Sequence, residues 1–247
     1  MIQVIDYSNM EDGGFTVVSS KKKHKRCRIS HEPLLRSAPS TFPSAATVDK
    51  TMEATLLQSI NQHRETMLSD QLWIATRKLL TASQFEPSEI VCYGLGSMTH
   101  GHCTVASRTQ FGFLLCLKEL FSVSHLYLYD PVLTESDKTI INSFGIELLK
   151  TNEEGKRRVE KQTLFFMPRC PFELFNNLLE ENQHQLSRIM LIGNRLLDLK
   201  TQMTDRSLEE SYPAIIAALR SVQDVGLPCS DGELDCILNN TSIQMFL

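Results

Sequence analysis

The feature that most constrains this chain is a rhythm that begins after Pro87. Short apolar runs at Glu89–Tyr93, His125–Tyr129, Ile146–Leu149, Thr163–Met167 and Arg188–Ile192 alternate with longer stretches of helical character. The runs are almost continuously apolar, as strands covered on both faces must be. Between and after them lie Thr104–Phe121, Leu133–Phe144 with its start at Pro131, Phe172–Glu181 and Tyr212–Val222. Asn152–Lys161 is a further expected helical stretch, on a short connection and interrupted by Gly155. Strand–helix–strand alternation requires parallel pairing with right-handed crossovers. The expected fold is therefore α/β and Rossmann-like, a mostly parallel sheet with helices on both faces. Thr241–Phe246 is expected to add a last edge strand.

Upstream, the pattern is helical. Leu56, Leu57, Ile60, Met67, Leu72, Ile74, Leu79 and Leu80 recur at steps of three and four, with no Pro or Gly among them. Asp70 has the short polar side chain that can cap a second helix here, and Trp73 reads as a packing anchor. Earlier still, Lys21–Arg28 is a dense cationic run, and Ser37–Ala46 is rich in Ser, Pro, Thr and Ala. Neither segment has the apolar surface to offset the entropy of ordering it. The expected organisation is a disordered tail over 1–45 and one domain over 48–247. That domain divides into N-terminal helices (48–83), a core (88–194), and a C-terminal helix with the edge strand (205–247).

Composition limits the function. With 25 Lys+Arg against 29 Asp+Glu the net charge is −4, which excludes a globally basic nucleic-acid surface for the folded domain. No apolar run approaches the ~18 residues of a membrane span. The start, Met-Ile-Gln-Val-Ile-Asp, has no secretory pattern. The expectation is a cytoplasmic protein, with nuclear entry through the basic run as the alternative to a merely solvated tail. The seven cysteines include no Cys-x-x-Cys pair, so a structural zinc site of the usual spacing is not expected. Cys92 and Cys116 read as buried core fillers.

In an open parallel sheet, ligands bind beyond the carboxyl ends of the strands. There the sequence collects polar and glycine-rich features: Tyr93-Gly94-Leu95-Gly96-Ser97, Tyr129-Asp130-Pro131, Asn152-Glu153-Glu154-Gly155, Pro168-Arg169-Cys170-Pro171 and Gly193-Asn194-Arg195. Gly94 and Gly96 permit a tight turn off the strand, and the next helix start offers free amides to an anion. Asp130 stands at the end of the second strand, where such folds place an acid on ribose hydroxyls. Gly94, Gly96, Ser97, Asp130, Asn152, Glu154 and Asn194 are thus the expected rim of a pocket, with the cofactor unknown. The motif is incomplete, since Thr99 replaces a third glycine and Asp130 lies 34 residues past Gly96 rather than ~20. The competing reading is a glycine turn without a ligand, with Asp130 capping the helix that starts at Pro131.

His100, His102 and Cys103 form the one cluster of soft metal donors, with Cys170 and His125 as distant additions. A metal site there needs further ligands, and a polar loop is the preferred reading. Cys170 precedes Pro171 at a helix start, which could lower its pKa. There is no Walker loop, no His-Glu-x-x-His and no nucleophile–base pair in sequence proximity, so no catalytic residue is assigned.

Tyr93-Gly94-Leu95-Gly96, Tyr129-Asp130-Pro131, Asn152–Arg157, Phe166-Met167-Pro168-x-Cys170 and Ile192-Gly193-Asn194 occur in one order. In that order they resemble the "sensitivity to red light reduced" (SRR) domain family across roughly Ser88–Asn194. The resemblance implies a regulatory protein, linked to the circadian clock, to light signalling in plants, and to clock-gene expression and haem biosynthesis in animals. It implies protein partners of unknown identity and a small-ligand pocket, and it carries over no catalytic residues. Arg169 stands where the family usually has His, which weakens a metal or haem role for Cys170. Arg195 stands where a small polar residue is common. The sequence stops soon after Phe246, so a short or absent family C-terminal extension is expected. The alternative function is a nucleotide- or S-adenosylmethionine-dependent transferase, resting on Gly94, Gly96 and Asp130.

Overall fold

Seven strands form one sheet in a computed structural model that describes residues 45–228 and 237–247, with side chains from residue 53 onward. The basic run and Ser/Pro-rich stretch of the expected tail lie outside the described residues, apart from the backbone at 45–46, as do Cys27, Cys229 and Cys236. Two helices, α1 (Ala45–Ser69) and α2 (Gln71–Ala82), precede the sheet. Asp70 separates them as expected, its carboxylate accepting from the Leu72 amide at 2.7 Å. Then follow β1 (Glu89–Tyr93), α3 (Thr104–Phe121), β2 (His125–Tyr129), α4 (Glu135–Ser143), β3 (Glu147–Leu148), β4 (Thr163–Met167), α5 (Phe172–Glu181) and β5 (Ile189–Asn194). The chain ends with α6 (Leu199–Gln202), α7 (Asp205–Ser211), α8 (Pro213–Ala218), β6 (Val222–Gly226) and β7 (Thr241–Phe246).

The strand order is β3-β2-β1-β4-β5-β7-β6, with the first five parallel and β7 antiparallel to both its neighbours. The first five positions reproduce the doubly wound order, and the direction of winding reverses between β1 and β4. This is the expected Rossmann-like α/β fold. Its crevice position lies above Tyr93 and Met167.

Period-two alternation splits each central strand between two cores. Ile90 and Cys92, Leu126 and Leu128, Leu164 and Phe166, and Met190 and Ile192 face the core that also contains side chains of α1 to α4. Val91 and Tyr93, Phe165 and Met167, and Ile189 and Leu191 face the other, shared with α5, α7 and α8. Burial of each such Val, Leu or Phe contributes about 1.5–3 kcal/mol. Trp73 is the packing anchor expected, meeting the Phe113 ring edge-on at 5.4 Å between centroids.

Three expectations are corrected. Thr241–Phe246 is an interior strand, buried between β5 and β6; the edge is β6, which begins where the expected helix Tyr212–Val222 ends. That region breaks because Pro213 opens a short α8, and the polar, exposed Val222–Gly226 follows. The helix after the second strand starts at Glu135 rather than Pro131, capped by Thr134 in a capping box with Asp137. Asp130 therefore does not cap it. Between β3 and β4 no helix forms; a loop covers the sheet there, with the Arg157 guanidinium 4.7 Å from the Tyr127 ring centroid. Among the described residues no helix is long and apolar enough to cross a membrane.

Candidate functional site

The site grows from the turn off β1. Gly94 and Gly96 both hold left-handed backbones, with φ +72° and +81°. A Cβ on Gly94 would stand 2.5 Å from the Cys170 sulfur, and one on Gly96 would stand 2.6 Å from Ser107 Oγ. Glycine is required at both places for conformation and for space.

The amide of Gly96, the donor that such a turn offers to a phosphate, points at Asp130. It donates to Asp130 Oδ2 at 2.7 Å, while the Val132 amide donates to Oδ1 at 2.9 Å. The two features with the clearest ligand-binding reading thus bind each other. Next along the loop, Ser97 Oγ donates to Asp137 Oδ2 at 2.6 Å, and the Met98 amide donates to Oδ1 at 3.0 Å. Thr99 Oγ1 donates to Oδ1 at 3.1 Å, and the Thr134 amide donates to Oδ2 at 2.9 Å. Asp137 is fully buried. Burial alone would raise its pKa, but the hydrogen bonds from Ser97, Thr134 and Thr99 outweigh that and hold it below the usual carboxylate range. Asp137 is the residue that sequence reasoning missed. The signal available was Thr134-x-x-Asp137, a capping-box spacing that also placed a carboxylate facing the loop.

Beyond β3, Asn152 accepts from the Glu154 amide at 2.9 Å and so closes its own turn, and the exposed Glu154 pairs with Lys156 at 2.9 Å. The neighbouring Glu153 does more. It accepts from the Tyr93 phenol and pairs with Arg157 at 2.9 Å, pinning the loop to the end of β1. Burial, and then the Glu153 carboxylate, push the Tyr93 phenol upward.

On the far side of the crevice, Cys170 is buried and its thiol donates to the Tyr93 carbonyl at 3.3 Å. Its pKa is pushed up to about 12, by burial first and by Asp130 second. The lowered value expected from the helix start is overturned, because exclusion of water outweighs the dipole. Asn194 Nδ2 donates to the Cys170 carbonyl at 2.8 Å. Of the expected rim, Gly94, Gly96, Ser97 and Asp130 come together; Asn152 and Glu154 turn onto their own loop, and Asn194 stands across the switch point. His100, His102 and Cys103 are exposed on the loop before α3, while Cys170 is buried. Among the described residues, no group of three or more His, Cys, Asp or Glu side chains is placed to hold a metal ion.

A sequence model of the SRR1 domain matches residues 53–245. The SRR1-like protein of Mus musculus is 41% identical over 139 residues, covering 54% of this chain and 55% of that protein. Protein SENSITIVITY TO RED LIGHT REDUCED 1 of Arabidopsis thaliana is 29% identical over 163 residues, covering 64% and 58%. The matches thus span about half the length of these curated relatives. Among solved structures, that of an MtNAS mutant gives a TM-score of 0.39 at 12% identity, covering 81% of this chain and 74% of that one. The plantazolicin methyltransferase BpumL with SAH gives 0.36 at 11%, covering 81% and 99%. Scores of this size carry no structural conclusion.

Proposed function

Since the chain belongs to the SRR1 domain family, we propose that it is a regulatory protein acting in circadian-clock gene expression and haem biosynthesis. It works through protein partners, and the strand-end rim is where a small ligand is read. The observation that favours regulation over a cofactor-dependent reaction is the bond from the Gly96 amide to Asp130 Oδ2. A nucleotide site needs that amide for phosphate and that carboxylate for ribose. Here each satisfies the other, and a cofactor would have to break a charge-assisted hydrogen bond to enter. The Arabidopsis relative's name, which refers to sensitivity to red light, supports a signalling role. The protein is proposed to reside in the cytoplasm, with nuclear entry through Lys21–Arg28.

Knockdown tests this reading. It is expected to change both rhythmic transcription and haem level, and unchanged rhythm and haem would overturn it. Thermal melting with NAD, S-adenosylmethionine and ATP is expected to be flat.

A transferase is the second reading, favoured by the glycine turn lying beside the switch between β1 and β4. It predicts a ligand-dependent rise in melting temperature that is lost in Asp130→Asn.

A further inference from the structure

Helix α2 buries one side and leaves the other open. Leu72, Thr76 and Leu80 are buried, while Arg77, Lys78, Thr81 and Ala82 are exposed. Along the open side runs a groove of about 640 Å³, walled by two neighbouring rows of α2 side chains. Trp73, Arg77 and Thr81 make one row, Ile74, Lys78 and Ala82 the other, and Leu68 joins them from the end of α1. We propose that this groove is a docking site for an acidic amphipathic helix of a protein partner.

The shape selects a helix. Residues four apart form the ridges of a helix surface, and a ridge of a second helix seats in the furrow between two of them. From Trp73 to Ala82 the furrow runs about 13 Å, at 1.5 Å per residue, which is about two and a half turns of a helix lying along it. An extended segment would need unpaired backbone amides and carbonyls, and the interior of a helix offers none. A bilayer is met by apolar side chains that reach into it. Trp73 does not reach out, being 3% exposed with its ring anchored edge-on against Phe113.

The chemistry selects the charge. Leu68, 39% exposed, combines with Trp73, Ile74 and Ala82 into a mainly apolar lining, and an apolar floor with a charged rim is the anatomy of a helix-binding groove. Arg77 stands on one wall and Lys78 on the other, and no acid lines the groove. Among the described residues neither cation has an ion-pair partner, whereas exposed Lys138, Lys156 and Arg206 each pair with a nearby Glu. Carboxylates on both flanks of an apolar ridge would meet one cation on each wall, and a basic helix would meet like charge twice. A second copy of this chain is disfavoured by the same charges. A two-fold contact of α2 with α2 would set Arg77 and Lys78 against their own equivalents.

The inference rests on the reading that the protein works through protein partners, and not on the clock or haem roles. Its test is in vitro binding by the purified full chain, so its failure is distinguishable from failure of the cellular experiment. The probe is a displayed library of amphipathic helices with randomised flanking positions, followed by fluorescence anisotropy of the selected peptides. Selected helices are expected to carry Asp or Glu on both flanks of the apolar ridge and to bind less tightly as salt rises. Arg77→Glu combined with Lys78→Glu alters two exposed side chains and should keep the melting temperature of the wild type. It is expected to weaken binding about tenfold or more. Leu68→Ser removes an exposed apolar contact and is expected to weaken binding about 3- to 10-fold. A library that yields no binder, binders without acidic flanks, or binding untouched by the double charge reversal would each overturn the proposal. So would a wild-type dimer in sedimentation that the reversal dissociates, or pelleting with phosphatidylserine vesicles that the reversal abolishes.

Discussion

The two halves of the strand-end rim are built from similar polar residues and use them in opposite ways. Above β1 and β2, Gly96 is spent on Asp130, and Ser97, Thr99 and Thr134 on Asp137. Above β4 and β5, Arg195 pairs with Asp224, Asn194 donates to the Cys170 carbonyl and Arg169 to the Ile237 carbonyl, and the three line an open cavity. The difference teaches that a glycine-rich turn and an acid at a strand end mark a ligand crevice only while neither has the other as partner. Once the turn curls far enough for its amide to reach the carboxylate, the same residues become a clasp.

If the first half is a clasp, breaking it should cost stability. Asp137→Ala removes a buried acceptor from Ser97, Met98, Thr99 and Thr134 together and leaves buried donors unpaired. The expected loss is about 3–4 kcal/mol, read from urea unfolding. A loss under about 1 kcal/mol would mean the loop finds other partners, and the contrast between halves would fall. The same residue sets a pH dependence. Its folded pKa lies below the unfolded value of about 3.9, so its contribution is full above that value and is lost as pH falls through the folded pKa. The stability difference between wild type and Asp137→Asn should therefore shrink below about pH 4, and be constant above about pH 6.

Gly94→Ala comes next in size. The added Cβ meets the Cys170 sulfur at 2.5 Å and must adopt φ +72°, which together cost about 2–3 kcal/mol. Cys170→Ala removes the sulfur and leaves the Pro168 carbonyl oxygen at 3.4 Å and the Cys170 Cβ at 3.9 Å, both ordinary contacts. The double variant should then lose about 1–2 kcal/mol less than the sum of the single losses, the remainder being the left-handed backbone. Strict additivity would show that the crevice floor is not the packed contact between Gly94 and Cys170.

How much of this was legible follows from the range of the interactions. Strands β1 and β4 show in the sequence because burial on both faces writes a continuous apolar run, β2 shows by its apolar residues on one buried face, and α3 and α5 by helical spacing; the bounds of all five agree residue for residue. β6 does not, because an exposed edge strand reading Val-Gln-Asp-Val-Gly carries no apolar signal. β7 reads as a strand, but its place between β5 and β6 is a matter of pairing that no local pattern encodes. At the site, the turn at Gly94 and Gly96 and the acid at Asp130 are visible singly. Their mutual bond spans 34 residues of sequence and is a property of the folded rim. Arg169 and Arg195 stand in the sequence among the polar strand-end segments, and their convergence on one cavity needs the ends of β4 and β5 side by side.

The smallest expected effect sharpens the comparison most, because backbone strain and side-chain bonding oppose each other there. Arg169 sits at φ +54° and donates a partly buried hydrogen bond to the Ile237 carbonyl at 3.3 Å. A non-glycine residue in this region costs about 1–2 kcal/mol, and glycine removes most of that while adding its own unfolded-state entropy. In Arg169→Gly the relieved backbone therefore offsets the lost side-chain bonding, and the net change in urea unfolding should stay within about 1 kcal/mol. Gly94 and Gly96 satisfy the backbone without strain and serve the fold, whereas Arg169 is retained against the backbone's preference. A change within about 1 kcal/mol would set Arg169 apart from the scaffold; destabilisation as large as that of Gly94→Ala would make it part of the scaffold, and the two halves of the rim would no longer differ.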